Sequence, residues 1–485
     1  MKIKVAVLTD IHFRSAVNSI EPNNIDDLAD ILLLRAVHRL NRFIKPDFVF
    51  VGGDLIDLPE SDDAVKLLTR LKNTLDLLKA PFTVIPGNHD GDLQRFLKIF
   101  GIPEVKDINN FRFVPFMDEQ MPEYKARRSQ SDLLKMKQVA ADYNGTLVAL
   151  QHVPLFPPEA ECCPYGYTNA AEICAAMQEN GYKVSLAGHY HPGFSHQAPD
   201  GITYMACPTL HEYPFKYSIL EIDNLGNCVR VDETLALPEN LNLSDHHIHT
   251  KLAYCNENMD IDKTLRLAKA FNLKKIYITE HTAHLYQEQK NYRATQYFYK
   301  GINNCDIADR TDEYFKMLQL YPAPKAVCGI EIDYDINGKP VIAPEVQQKI
   351  SFCNGAVHYL HSIKSGRSMQ EIETEFLYQT QAVIDSGVDA LAHPFRIFRR
   401  RGLPLPSHLY NSVAEMLKAG NVAAELNFHT NNPPLEFFRT CILKGVRISL
   451  GSDSHNLYEV GEFYPHLNFL KKLVTTGQLH DILLD

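Results

Sequence analysis

Eleven of the 21 histidines in this 485-residue chain fall in short clusters with Asp, Glu, Asn or Gly at the ends of apolar runs. Imidazole and carboxylate together hold divalent ions, and a bridging carboxylate can hold two of them about 3.5 to 4 Å apart. The clusters of the first half are Asp10-Ile11-His12, Gly53-Asp54-Leu55-Ile56-Asp57, Gly87-Asn88-His89-Asp90, His152 and Gly188-His189-Tyr190-His191. Those of the second half are His247-Ile248-His249, Glu280-His281, Gly329-Ile330-Glu331, Val357-His358, Ala392-His393-Pro394 and Gly451-Ser452-Asp453-Ser454-His455. One such fragment alone is more often a turn than a ligand set. A whole series, each member following an apolar run, is hard to ascribe to chance. The other ten histidines (His38, His196, His211, His246, His284, His361, His408, His429, His466 and His480) read as structural or surface residues.

The elements that must position these clusters follow from periodicity. Residues 2–8 alternate and are rich in Val and Ile, so they read as a strand ending at Asp10. Amphipathic helices are expected over 26–45, stopped before Pro46, and over about 62–79, with strands at 48–51, 82–85, 146–151 and 183–187. Each strand delivers one cluster at its carboxyl end, where loops of α/β proteins build sites. Residues 202–206, 217–222 and 228–231 read as antiparallel edge strands without further chemistry. From Asp245 the alternation restarts, with strands near 275–279, 326–330, 356–357, 388–392, 422–426 and 446–450. That pattern predicts a small (βα) barrel with its site at the carboxyl face of the strands.

Composition sets the outer bounds. The chain exceeds what a single core usually supports, so two domains are expected, 1–237 and 238–485. A formal charge of −10 argues against a protein that tracks long nucleic acid by its overall field. The ten cysteines are scattered, with no C-x-x-C, which favours a reducing cytoplasm over a disulfide scaffold. Neither an export signal nor a membrane span is expected. The run Lys125-Ala126-Arg127-Arg128 reads as surface charge.

The first-half series resembles the signature of the calcineurin-like metallophosphoesterases, over about residues 1–235. The resemblance implies an αββα sandwich with Asp10, His12 and His191 on one metal, Asn88, His152 and His189 on another, and Asp54 bridging. It also implies that His89 protonates the leaving alcohol, oriented by Asp57. The second-half series resembles the PHP (polymerase and histidinol phosphatase) family over about residues 240–485, which implies a distorted (βα)7-type barrel. There His247, His249, Glu331 and Asp453 would hold one metal, with Glu331 bridging to a second on His358 and His393. A third would use His281 and His455. The family often completes that third site with another histidine or acid; here the chain offers Cys255 or Glu257.

Beside this series Arg396, first of a basic run with Arg399, Arg400 and Arg401, is a candidate phosphate binder, because guanidinium suits bidentate contact. The polar, aromatic stretch 286–304 reads either as a lid or as a helix packed on the barrel. Two resemblances together imply an α/β bifunctional phosphohydrolase. Its expected cofactors are Mn, Fe or Zn, two ions in the first site and two or three in the second. Hydroxide would attack the phosphodiester or phosphomonoester of a small molecule or nucleotide. Alternatives are an exonuclease on short oligonucleotides, or one catalytic domain beside a structural or regulatory one.

Overall fold

A computed structural model describes residues 1–16, 25–291, 296–302, 309–321 and 326–485. The chain divides into two compact units, Met1–Ala236 and Leu237–Asp485. Among the described residues no helix is long and apolar enough to cross a membrane.

The first unit is an αββα sandwich. Its strands are β1 (Lys2–Leu8), β2 (Phe48–Val51), β3 (Phe82–Val84), β4 (Lys106–Ile108), β5 (Phe111–Pro115), β6 (Glu119–Met121) and β7 (Lys125–Arg127), then β8 (Thr146–Leu150), β9 (Tyr182–Ala187), β10 (Phe194–Gln197), β11 (Thr203–Ala206), β12 (Lys216–Asp223) and β13 (Cys228–Thr234). One sheet runs β13-β12-β1-β2-β3 and the other β10-β11-β9-β8-β5-β4; β6 and β7 form a separate hairpin. The alternation read in the sequence puts Ile3, Val5, Val7, Phe48 and Phe50 of one sheet against Phe113, Val148, Leu150, Val184 and Leu186 of the other. Phe48 stacks on Phe113 across that core at 4.1 Å. Residues buried on both faces, as in β2 and β8, are the expected outcome for strands covered by helices outside and a second sheet inside.

Several local expectations are corrected. The segment near 217–222 is no edge strand: β12 lies between β13 and β1, antiparallel to both. Strand β11 pairs in parallel with β9 and antiparallel with β10. The pairing of β12 with β1, more than 200 residues earlier, leaves no local mark that would separate an inner strand from an outer one. The helix expected over 26–45 breaks into a 3-10 turn (Asp26–Leu28), an α-helix (Ala29–Arg39) and a π turn (Leu40–Ile44), where Lys45 N–H reaches Leu40 O at 2.8 Å ahead of Pro46. Arg128 is not on the surface. It is fully buried, its guanidinium paired with Asp118 at 2.9 and 3.0 Å and seated 3.8 Å over the Phe116 ring, which compensates the cost of burying a charge.

The second unit is a near-closed parallel barrel of seven strands in sequence order: β14 (Asp245–Ile248), β15 (Ile276–His281), β16 (Ala326–Ile332), β17 (Phe352–Gly355), β18 (Ala390–Leu391), β19 (Ala423–Asn427) and β20 (Ile448–Gly451). It closes where Ile248 bridges Ser454, with Asp453 N–H donating to His247 O at 2.7 Å and His249 N–H to Ser454 O at 3.1 Å. Strand β17 ends at Gly355, so His358 sits on the following loop rather than directly on a strand end. His246 is buried on β14 and packs against Tyr277 and Phe352, with ring centroids 4.5 and 5.3 Å away.

Candidate functional site

In the first unit the carboxyl ends of β1, β2, β3, β8 and β9 meet, and all seven expected metal-ligating side chains converge there. The turns are sharp: Asp10, His12, Asp54 and His189 have φ of 54°, 48°, 53° and 64°. This left-handed backbone costs an L-residue about 1 to 2 kcal/mol and is found where a site demands it. Asp54 is the centre. Its Oδ2 stands 3.3 Å from His152 Nε2 and 3.8 Å from His12 Nε2, while its Oδ1 accepts the His89 main-chain N–H at 2.8 Å. On one side His152 Nε2 meets Asn88 Oδ1 at 2.9 Å and His189 Nδ1 at 3.1 Å. On the other, Asp10 Oδ1 is 3.7 Å from His191 Nε2 and 4.0 Å from His12 Nε2. The approach of β3 to β2 requires glycine at position 87, because a Cβ there would lie 2.5 Å from Asp54 N and 2.7 Å from His152 Cε1.

His89 borders this group, its side chain about one-third exposed. Its Nδ1 reaches the main-chain oxygen of Asp57 at 3.3 Å, whereas the Asp57 carboxylate is 3.8 Å away. That carboxylate instead takes Arg14 Nη2 at 2.5 Å and His12 Nδ1 at 3.3 Å. Asp57 therefore orients His89 through its backbone, and its side chain braces His12. His211, read from the sequence as structural, lies within 4.8 Å of donor atoms on His12 and His191. Its neighbour Glu212 accepts from His191 Nδ1 at 2.7 Å. The adjacent pair His211-Glu212 was the available signal, but no single-residue spacing tied it to the motifs.

In the second unit the corresponding centre is Glu331. Its Oε1 lies 2.9 Å from His393 Nε2, 3.4 Å from His358 Nε2 and 3.6 Å from His247 Nε2; its Oε2 contacts His281 Nδ1 and lies 3.9 Å from His249 Nε2. Asp453 Oδ1 is 3.0 Å from His249 Nε2 and 3.6 Å from His247 Nε2, and His455 Nε2 is 3.3 Å from His281 Nε2. Three carboxylates outside the expected set hold these rings from behind. Glu425 Oε1 accepts from His247 Nδ1 at 2.6 Å, Asp333 Oδ1 from His358 Nδ1 at 2.7 Å, and Glu280 Oε1 faces His249 Nδ1 at 3.4 Å. Such partners fix the tautomer and aim the other nitrogen.

Around the third position Cys255 and Glu257 part ways. Cys255 Sγ is 3.8 Å from His281 Nε2 and groups with His284, whereas Glu257 Oε2 is taken by the Asn456 amide at 2.7 Å. Arg396 is buried in the site; its Nη1 donates to Asp453 Oδ2 at 2.6 Å and its Nη2 to His358 Nε2 at 3.2 Å. Of the stretch 286–304, Tyr297 is buried with its hydroxyl on Thr282 Oγ1 at 3.1 Å, and Tyr299 meets Tyr359 at 2.7 Å. That places Gln296–Lys300 as a helix packed on the barrel, while Tyr292 and Asn304 lie outside the described residues.

The electrostatics divide the rings. Burial disfavours the charged form of His152, but Asp54 and Asp10 outweigh it and push the imidazole up to about 9. For His249 burial is likewise outweighed, by Asp453 and Glu280, again to about 9. Burial, reinforced by a charged neighbour ring, drives His189 down to about 4 and His455 to about 3, and holds His281 well below its usual range. These last three present free lone pairs at neutral pH. A cation fits both donor sets, because His12 Nε2 and His247 Nε2 are buried without a hydrogen-bond partner and each faces two carboxylates at 3.6 to 4.0 Å. An unpaired buried ring nitrogen is costly unless something else satisfies it.

Comparison with known proteins places both halves. Residues 3–193 match the family model described as calcineurin-like phosphoesterase, and residues 245–429 match the PHP domain. A Schizosaccharomyces pombe protein of uncharacterised function is 27% identical over 291 residues, a match covering 49% of this chain and 56% of the relative. The chain thus spans little more than half the length of that relative. Among solved structures, a dimetal phosphatase from Danio rerio is similar at 14% identity with a TM-score of 0.38, covering 47% of this chain and 98% of its own. Vps29 from Entamoeba histolytica is similar at 16% identity with a TM-score of 0.23, covering 48% and 100%.

Proposed function

We propose, from the calcineurin-like phosphoesterase match over residues 3–193 and the PHP match over residues 245–429, that the chain is a bifunctional metal-dependent phosphoester hydrolase. The first site opens a phosphodiester of a small molecule or nucleotide, and the second removes the phosphomonoester so exposed. The observation that carries this reading is that each unit holds a full set of converging donors, with a buried imidazole nitrogen aimed at two carboxylates in both.

In the first site Asp10, His12 and His191 would hold one ion, Asn88, His152 and His189 a second, and Asp54 both. In the second, His247, His249 and Asp453 would hold one ion, His358 and His393 another, and Glu331 both. A third would rest on His281 and His455, with Cys255 as the closer of the two remaining donors; thiolate favours Zn over harder ions. Divalent ions supply Lewis acidity in such sites, activating water and neutralising phosphoryl oxygens. The chain's own residues do the rest. His89, in its doubly protonated form, keeps its Nδ1–H on Asp57 O and gives its Nε2 proton to the departing alcohol, leaving the neutral ring. Arg396, fixed by Asp453, places a permanent positive charge beside the second site's phosphoryl group.

The test is a screen of the intact protein, reconstituted with Mn²⁺, Fe²⁺ or Zn²⁺, against phosphodiesters, phosphomonoesters and nucleotides. Turnover of at least one diester and one monoester is expected. Turnover of neither class with any metal would defeat the proposal.

A further inference from the structure

The first site opens on two hollows that share Asn88, His89 and Tyr124. One, about 510 Å³, lies over the clustered donors with Arg14, His211 and Glu212 at its rim. The other, about 820 Å³, runs away from the donors between the His89 turn and the β6–β7 hairpin. This hairpin is no loose flap. Its tip is held by His189 Nε2, which donates to Tyr124 O at 3.1 Å, and β7 is fixed along its outer edge by Ala126 N–H on Gly166 O at 3.0 Å and Thr168 N–H on Ala126 O at 2.9 Å. The wall is therefore part of the site.

The lining of the larger hollow is selective. Leu93, Met117, Met121 and Val153 give it apolar faces. Beside His89 and His152 at its inner end, its ionisable side chains include Asp118, Glu119, Glu123 and Lys125. Asp118 is spent on Arg128, and Glu123 pairs with Lys125 at 2.8 Å. That leaves Glu119, exposed on β6 opposite Arg127 of β7, as the carboxylate without a close ion pair, and among the described residues no unpaired lysine or arginine lines the hollow. In an in-line displacement the leaving group departs on the side of the proton donor, and His89 stands at the hollow's entrance.

We propose that this hollow is the leaving-group site of the first centre, and that it takes an alcohol with an apolar body that is neutral or cationic, discriminating against one that carries a second anionic group. This rests on the diesterase reading above and narrows its substrate class: a diester of a hydrophobic or amine-bearing alcohol fits, whereas a leaving group with its own phosphate or carboxylate meets Glu119 with no unpaired lysine or arginine lining the hollow. The hydrolysis balances as water plus diester giving monoester and alcohol, with the alcohol's proton delivered through His89.

The experiment uses the full chain carrying His358→Ala to silence the second site, loaded with Mn²⁺. Its substrates are methyl aryl phosphodiesters whose aryl groups have matched acidity and bear a trimethylammonium group, no charge, or a carboxylate. The expected kcat/KM for the carboxylate is about tenfold below the other two, as like-charge juxtaposition demands. Glu119→Lys, a change at an exposed strand position, narrows or reverses that ratio, and Met121→Asp lowers the rate of the neutral ester. Equal kcat/KM across the three esters, or a ratio untouched by Glu119→Lys, overturns the assignment while leaving the diesterase reading intact. No turnover of any of the three overturns both.

Discussion

Glu425→Gln is the substitution whose consequence is most fully determined by the geometry. The Glu425 carboxylate is buried and has a separate task for each oxygen: Oε1 accepts from His247 Nδ1 at 2.6 Å, and Oε2 accepts the His393 main-chain N–H at 2.6 Å. Glutamine keeps the shape but has one acceptor oxygen and one NH2. If the oxygen stays on the His393 amide, the NH2 faces His247 Nδ1. The ring must then either give up that bond or move its proton to Nε2, the nitrogen that faces Glu331 and Asp453 at 3.6 Å. If the oxygen turns to His247, the NH2 opposes a buried backbone N–H. Loss of such a supporting partner typically costs 10 to 100-fold in metal affinity, or roughly 1.4 to 2.7 kcal/mol. Competition against a fluorescent chelator should show a weakening of about that size for the tightest ion of the second unit. Ions of the first unit should bind as in wild type. Unchanged affinity in the second unit, or an equal loss in the first, would refute the reasoning.

Three further outcomes follow from the same geometry. His89→Ala should lower hydrolysis of an alkyl diester by about 10²- to 10⁴-fold, with little effect on a nitrophenyl diester that needs no proton, and metal content by elemental analysis should be unchanged. Gly87→Ala, whose Cβ would lie 2.5 Å from Asp54 N, should strip metal from the first unit and abolish diesterase activity while the monoesterase rate persists. His246 is pushed down to about 4 by burial, below its ordinary 6.5, so the unfolded chain takes up the proton first. Its contribution is then fully present above pH 6.5 and is lost as pH falls toward 4, at about 1.4 kcal/mol per pH unit. His246→Phe should therefore flatten the fall in urea midpoint of the metal-free protein between pH 6.5 and 4.5; an unchanged slope would count against it.

What the sequence made legible was whatever sits at a strand's carboxyl end. Asp10, Asp54, Asn88, His152 and His189 follow five apolar runs directly, so the type of residue and the end of the run coincide, and all converge in the fold. The same holds for Glu331 and for Asp453. What stayed hidden depends on contacts across the chain. Glu425 and His247 are 178 residues apart, and Asp333 and His358 are 25 apart, with no shared periodicity to join them. Asp57 is legible as the partner of His89, but the hold of its side chain on Arg14 and His12 is not, because those contacts form only once β1 and β2 lie side by side. The β6–β7 hairpin has strands of three residues with only Met121 and Ala126 apolar, too short to show an alternation.

The central claim is that two independent centres act on two kinds of ester. Its most direct test is to measure diester and monoester hydrolysis by the full chain as wild type, Asp54→Asn, Glu331→Gln and the double variant under one metal condition. The account predicts that Asp54→Asn removes diester hydrolysis alone, Glu331→Gln removes monoester hydrolysis alone, and the double variant removes both. A single substitution that abolishes both activities, or leaves both intact, would contradict it.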